Sequence, residues 1–237
     1  MSNILVFGGS GFIGSHVADN LSIKGHNVTI YDIKKSKYLR KDQKMVVGSI
    51  LDKKKVSKAI KNTEIIYHFA GIADIYEANI NAHKAVEINI LGTSIILEKM
   101  KIHKKKRIIF ASTIYVFSEQ GGIYRTTKQA CELLIENYSE LYKIEYTNLR
   151  FGSIYGPRAN KFNFINKMIN DAKEKKVMIR NGDGNEIRNY INVLDAARYC
   201  VIVLKRKYKN RNIEILGKKK TTIKVIMNLI KSKITDS

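Results

Sequence analysis

Ile4-Leu5-Val6-Phe7-Gly8-Gly9-Ser10-Gly11-Phe12-Ile13-Gly14 is the stretch whose reading decides the fold. A short, β-rich apolar run breaks into glycines, and an amphipathic pattern follows from Phe12 to about Lys24. A phosphate-bearing dinucleotide needs that order of strand, glycine turn and helix. Gly8 permits the tight turn, Gly11 lets the backbone approach a pyrophosphate, and Gly14 lets the helix lie close on the strand. Phe12 and Ile13 open the helix, whose unpaired N–H groups and positive dipole end favour phosphate. Asp32 ends the second apolar run about 20 residues after the turn, the spacing of a carboxylate that accepts hydrogen bonds from a ribose diol. That carboxylate repels the extra phosphate of NADP, and Lys34 and Lys35 only soften the repulsion. NAD is the expected cofactor.

Outward from this turn the rhythm repeats. Val28–Tyr31, Met45–Val47, Ile65–Phe69, Ile108–Ala111 and Tyr146–Leu149 are further short apolar runs bounded by turn residues. Continuous runs of this kind suit strands buried on both faces of a parallel sheet. Helices are expected between them over Lys53–Lys61, Ile80–Met100 and Tyr124–Tyr142. The alternation predicts an α/β fold, a Rossmann-type doubly wound parallel sheet over residues 1–156. After Gly156-Pro157, the single proline, the pattern changes. A helix over Phe162–Lys175, short strands at Val177–Arg180, Ile187–Ile191 and Ile213–Leu216, and helices at Asp195–Lys207 and Ile223–Ile230 predict a small, reduced C-terminal substrate lobe over 157–237.

Composition limits the partners. An apolar fraction of 44% is ordinary for a globular chain. No leader-like segment precedes the glycine turn, and no apolar run approaches the roughly 20 residues of a membrane span, so a cytoplasmic protein without a membrane span is expected. Cys131 and Cys200 have no metal-ligand spacing and read as core residues. The formal charge of +22 comes from lysines spread along the whole chain, with no aromatic-interleaved basic motif. Solvated surface, with some steering of anionic substrates, is the reading, and no nucleic-acid partner is expected.

Tyr124 and Lys128 stand at i and i+4, so they share one face of their helix. A nearby ammonium and the positive nicotinamide would lower the phenol pKa toward neutrality and make Tyr124 a usable general base. Thr113, just past the fifth strand, supplies a short hydroxyl that can hold a substrate oxygen beside that phenol.

These features recur together in one superfamily. The Gly8–Ser15 turn, Asp32, His68-Phe69-Ala70-Gly71, Asn89-Ile90-Leu91-Gly92-Thr93 and Ala111-Ser112-Thr113 come first. Tyr124-Arg125-Thr126-Thr127-Lys128, Leu149 to Pro157, Gly182-Asp183-Gly184 and Arg188 to Val193 follow in order. Together they resemble the extended short-chain dehydrogenases/reductases, especially the sugar-nucleotide epimerase/dehydratase branch typified by UDP-glucose 4-epimerase. The resemblance implies a catalytic set of Thr113, Tyr124 and Lys128, with Lys128 also holding the nicotinamide ribose. It implies that Phe69, Ala70, Gly71 and Asn89 line the cofactor groove and that Ile50 lies near the adenine. Arg188 corresponds to the arginine that grips the substrate diphosphate, and Ser153 to a position that touches the sugar nucleotide. His68 reads as packing. The implied activity is NAD-dependent epimerisation of a nucleoside-diphosphate sugar through a transient keto sugar. A homodimer and a place in cell-surface polysaccharide biosynthesis come with it.

The chain departs from that pattern at several points. Ser49 replaces an acidic residue before Ile50, and the segment from Thr113 to Tyr124 is short. Asn189 and Asn192 stand where an acidic residue and a histidine or tyrosine are frequent, and the chain stops at Ser237, earlier than is usual. Ile114-Tyr115 occupies the place of the acidic pair that 4,6-dehydratases use to eliminate water, which disfavours a dehydratase. The alternatives to an epimerase are an NAD-dependent reductase or dehydrogenase of a nucleotide sugar, and a non-catalytic NAD-binding protein with a truncated substrate lobe.

Overall fold

The computed structural model describes residues 1–160, 162–180 and 182–235. The chain divides into two compact units, Met1–Phe151 with Ala197–Glu214, and Gly152–Ala196 with the segment from Ile215 onward. This differs from the single boundary expected after residue 156. The segment from Ala197 to Glu214 returns to the first unit because most of its strand lies in that unit's sheet.

In the first unit β1 (Asn3–Phe7), α1 (Phe12–Ile23), β2 (Asn27–Asp32), β3 (Lys44–Val47), α2 (Lys53–Lys61) and β4 (Ile65–His68) come first. Then follow α3 (Ile75–Ile80), α4 (Ala82–Ala85), a π-helical turn Val86–Leu91, α5 (Gly92–Ile102), β5 (Arg107–Thr113), α6 (Gly122–Tyr142) and β6 (Glu145–Phe151). Beyond it lie β7 (Ser153–Tyr155), α7 (Phe164–Lys175), β8 (Ile187–Asn192), α8 (Val193–Ile202), β9 (Arg211–Ile215), β10 (Lys220–Thr222) and α9 (Ile223–Thr235).

The large sheet runs β3-β2-β1-β4-β5-β6-β9, and the pairings from β3 through β6 are parallel. Strand order reverses between β1 and β4, and in such a sheet the crevice at the carboxyl ends of those strands is where ligands bind. The continuous apolar runs sit where two-sided burial demands them: Leu5, Val6 and Phe7 of β1 and Ile66 and Tyr67 of β4 are wholly buried. Among the described residues no helix is long and apolar enough to cross a membrane.

Helix α6 shows how the sequence positions the site. Tyr124, Thr127, Lys128, Cys131, Glu132 and Ile135 are its buried residues, spaced at i, i+3, i+4, i+7, i+8 and i+11. That is the stripe of a helix with one face on a sheet, yet much of it is polar. Helix α2 is simpler. Asp52 caps it by accepting from Lys54 and Lys55 N–H, and it buries Val56 and Ile60, one turn apart.

Three local differences from the sequence reading have physical causes. The helix expected over Ile80–Met100 is interrupted by the π turn at Val86–Leu91, which leaves the Asn89 carbonyl to accept from Thr93 Oγ1 and Cys131 Sγ. Val177–Arg180 is not a strand: Met178 packs against α7 and α9 while Val177 and Ile179 face solvent, and the second unit's sheet is β10-β8-β7. Strands β7 and β10 were invisible because Ser153–Tyr155 and Lys220–Thr222 carry no apolar run; their partner β8 makes them strands.

Candidate active site

The glycine turn is built by close approach of backbone. Gly8 has φ +76°, and a Cβ on it would stand 2.5 Å from the Ala70 nitrogen. A Cβ on Gly14 would meet the Gly8 carbonyl oxygen at 2.3 Å, so this residue lets α1 start directly on the turn. Gly11 is the N-cap of α1 and offers no side-chain cap, which leaves first-turn N–H groups, those of Phe12 and Ile13 among them, for an anion. Half-buried Asp32 accepts from Ser10 N–H at 3.0 Å through one carboxylate oxygen and from Lys34 N–H at 3.2 Å through the other. An ionised carboxylate has about four acceptor sites, so two backbone donors leave capacity for a ribose diol. These residues fit a dinucleotide.

From this turn the wall continues through the end of β4. Gly8 abuts Phe69 and Ala70, and Phe69 stacks on Tyr67 with ring centroids 6.1 Å apart. A Cβ on Gly71 would lie 2.8 Å from Asn89 Oδ1 and 4.0 Å from Lys128 Nζ, so the loop passes directly from the glycine turn to α6. Asn89, expected to line the groove, is 2% exposed and fully engaged. Its Oδ1 accepts from Ile72 N–H at 2.7 Å, and its Nδ2 donates to the Ile72 carbonyl at 3.0 Å and to Thr127 Oγ1 at 2.9 Å. It therefore shapes the loop after β4 and ties it to α6. Ile50 is buried in the core, seated on Gly92, where a Cβ would strike its Cδ1. His68 lies beneath, between the rings of Phe7 and Phe110. Burial, helped by the Lys128 charge, holds its imidazole down at about 3, so it is a neutral packing group at physiological pH.

Thr113, Tyr124 and Lys128 come together at the carboxyl end of β5. All three are buried, and the Thr113 side chain hydrogen-bonds the Tyr124 phenol while also accepting from Tyr115 N–H at 3.3 Å. Lys128 Nζ donates to the Ala111 carbonyl at 2.8 Å and lies 4.7 Å from the Phe110 ring centre and 5.9 Å from that of Tyr124. The sequence reading expects a phenol pKa lowered toward neutrality. In the chain by itself burial dominates and pushes Tyr124 up to about 12, with the Thr113 hydrogen bond pulling the other way. Burial likewise lowers the Lys128 ammonium from its ordinary value, and Cys131 and Glu132 oppose the fall.

Within the second unit Ser153 opens β7 opposite Tyr190, and Arg188 lies on β8 opposite Thr221. Both are half-buried. The two asparagines that depart from the usual pattern have structural work of their own. Asn189 Nδ2 donates to the Gly217 carbonyl at 3.2 Å, and Asn192 Oδ1 accepts from Leu194 N–H at 2.9 Å at the start of α8.

Sequence reasoning passed over Glu132 and Arg150, which meet in a buried fork beside Lys128 on α6, with Arg150 Nη2 donating to Glu132 Oε2 at 2.6 Å. A charged residue at a position the α6 stripe buries was the signal for Glu132. Tyr115, which stands in the place of the dehydratase acidic pair, packs with Tyr124, Ile72 and Ala78.

Comparison with known proteins places this geometry. Residues 4–215 match the NAD dependent epimerase/dehydratase family. A UDP-N-acetyl-alpha-D-glucosaminuronate decarboxylase of Bacillus cytotoxicus is 31% identical over 89% of this chain and 74% of its own length. The UDP-glucose 4-epimerase of Thermotoga maritima, solved with UDP-glucose, superposes with a TM-score of 0.92 at 26% identity, covering 98% of this chain and 82% of that one. The UDP-glucuronic acid 4-epimerase of Bacillus cereus, solved with UDP-glucuronic acid and NAD, gives 0.91 at 26% identity, over 99% and 83%.

Proposed function

The chain belongs to the NAD dependent epimerase/dehydratase family, and from that premise we propose that it is an NAD-dependent epimerase of a nucleoside-diphosphate sugar. One observation carries the reading: a buried threonine–tyrosine–lysine cluster is joined through the Gly71 loop to a glycine turn and a half-satisfied Asp32. The solved relatives that act on UDP-sugars as 4-epimerases support the substrate class.

NAD, when bound, supplies a reversible hydride acceptor that takes hydride from a sugar carbon and returns it to the other face. The chain's own residues bind, orient and move the proton. Gly8, Gly11 and Gly14 bring backbone to the pyrophosphate, with Phe12 and Ile13 contributing the first helical N–H groups, and Asp32 takes the adenosine ribose. Phe69, Ala70 and Gly71 line the groove, Asn89 fixes their loop, and Ile50 sits under the adenine end. Tyr124 Oη receives the sugar hydroxyl proton and later gives it back, Thr113 Oγ1 holds that oxygen beside the phenol, and Lys128 Nζ lowers the cost of the phenolate and holds the nicotinamide ribose. Lys128, together with the positive charge that a bound NAD would supply, would draw the phenol down from about 12. Arg188 grips the diphosphate of the substrate and Ser153 touches the sugar nucleotide.

Free, buried Cys131 and Cys200 suit a reducing, cytoplasmic setting. A homodimer belongs to the same reading, supported by exposed Tyr76, Ile80, Val86 and Leu91 along α3 and the π turn. Incubation with a panel of UDP-sugars, following product identity and NADH together, checks the proposal. A new sugar epimer with no net NADH is the expected result. Stoichiometric NADH with an oxidised sugar identifies a dehydrogenase instead, and NAD binding without any turnover identifies a non-catalytic binder.

A further inference from the structure

Behind the candidate base, α6 carries a second charged device. Tyr124, Lys128 and Glu132 stand at i, i+4 and i+8, each about one helical pitch of 5.4 Å further along the same buried face. Glu132 is 5% exposed. Its carboxylate is gripped from β6 by Arg150, whose Nε donates to the two oxygens at 3.1 and 3.2 Å and whose Nη2 donates at 2.6 Å. The other side of that guanidinium lies on the Phe117 ring, 4.2 Å from its centre. In the β5–β6 register Arg150 is opposite Ser112, the residue before Thr113. The pair thus spans α6, β6 and the turn that leaves Thr113.

An ammonium as deeply buried as Lys128 needs a compensating charge to remain an ammonium. Its surroundings can be taken element by element. From α6 come Tyr124, Cys131 and Glu132, from β5 the Ala111 carbonyl and the Phe110 ring, from β4 neutral His68, and from the following loop Gly71 beside Asn89. Of these groups Glu132 is the one carboxylate, and it comes with the Arg150 guanidinium on it from β6. The guanidinium fork of Arg150 fixes that carboxylate in place on the Lys128 side of the helix face.

We propose that Glu132, held by Arg150, is a positioning residue for the candidate base, its fixed negative charge keeping the Lys128 ammonium protonated so that Tyr124 is the group that gives and takes the proton. The role rests on the assignment of Tyr124 and Lys128 made above, but it concerns the charge on Lys128 and is read without turnover. A neutral Lys128 could neither stabilise a phenolate nor donate all its hydrogen bonds to a ribose. Arg150 works through Glu132 and touches no reacting atom.

The measurement is a pH titration of the Lys128 ε-carbon by ¹³C NMR in the full-length protein, the resonance being identified by its loss in Lys128→Arg. Glu132→Gln keeps the shape and hydrogen bonds while removing the charge, and should lower the titration midpoint of Lys128 by about one pH unit or more, the size of effect an opposite charge nearby exerts. Because that variant leaves Arg150 buried and unpaired, Glu132→Leu with Arg150→Met is the companion. Apolar replacement of a buried ion pair is commonly neutral or stabilising, so this double variant should melt near the parent; with the Arg150 cation gone as well, its midpoint should fall by less than in Glu132→Gln but stay below the parent's. NAD affinity, measured separately by calorimetry, should weaken at alkaline pH in both. A Lys128 midpoint equal to the parent's in either folded variant would make the pair a brace without electrostatic influence and overturn the proposal. That outcome is distinct from failure of the epimerase reading, which turnover alone decides.

Discussion

The two ends of the candidate site are made of different material. At the head of α1 the contacts are backbone: Gly8 against Ala70, Gly14 against Gly8, and Asp32 bonded to N–H groups of Ser10 and Lys34. On α6 they are buried polar side chains: Thr113 on Tyr124, Lys128 on the Ala111 carbonyl, Asn89 on Thr127, Arg150 on Glu132. Backbone tolerates no added atom, because two main chains cannot part without moving strands. A side-chain cluster tolerates isosteric change and responds in its charges. The first end should therefore fail sterically and the second chemically.

That contrast is open to breaking by substitution. Lys128→Met keeps the apolar stem and removes the ammonium, so turnover should fall by roughly 10²–10⁴, the span of a disabled general base, while the fold persists. Steady-state kinetics with thermal melting checks both halves; a loss of fold in place of turnover would erase the distinction between the two ends. Gly14→Ala is its counterpart, with a Cβ 2.3 Å from the Gly8 oxygen. NAD affinity by calorimetry should drop by about two orders of magnitude, since a sub-ångström displacement of the turn spoils several phosphate contacts together. Arg188→Ala should raise the substrate KM about 30-fold, near 2 kcal/mol for a charge-assisted phosphate contact, and leave NAD binding unchanged. The smallest effect belongs to Asp32→Ala. NAD should bind the parent several-fold better than NADP, and the variant should narrow that gap; equal parental affinities would contradict the ribose role.

The same contrast explains what could be read in advance. Glycines report backbone geometry by their identity, so Gly8, Gly11 and Gly14 announced the turn, and continuous apolar runs announced β1 through β6. The helical spacing of Tyr124 and Lys128 placed them on one face, as observed. What stayed hidden depends on partners distant in sequence. The Glu132–Arg150 fork needs the α6–β6 register, and the ties of Asn89 need a π turn that no local pattern betrays. Strands β7 and β10 exist only because β8 lies between them. In the chain alone the phenol stands up at about 12 because burial of the ring, which a sequence does not quantify, outweighs the neighbouring hydroxyl; the lowering expected from the sequence counts the positive nicotinamide as well.

The central claim is that Tyr124 carries the proton of an epimerisation, and Tyr124→Phe tests it most directly. The substitution removes one oxygen from a buried ring, so NAD affinity and melting should stay close to the parent's. Turnover of the UDP-sugar that the parent epimerises should fall by roughly 10²–10⁴. In the parent, activity should rise with pH through a group titrating below the free phenol value of about 10, and the residual activity of the variant should lack that rise. Near-parental turnover with the same pH profile would contradict the account and leave the chain as an NAD-binding member of its family whose chemistry lies elsewhere.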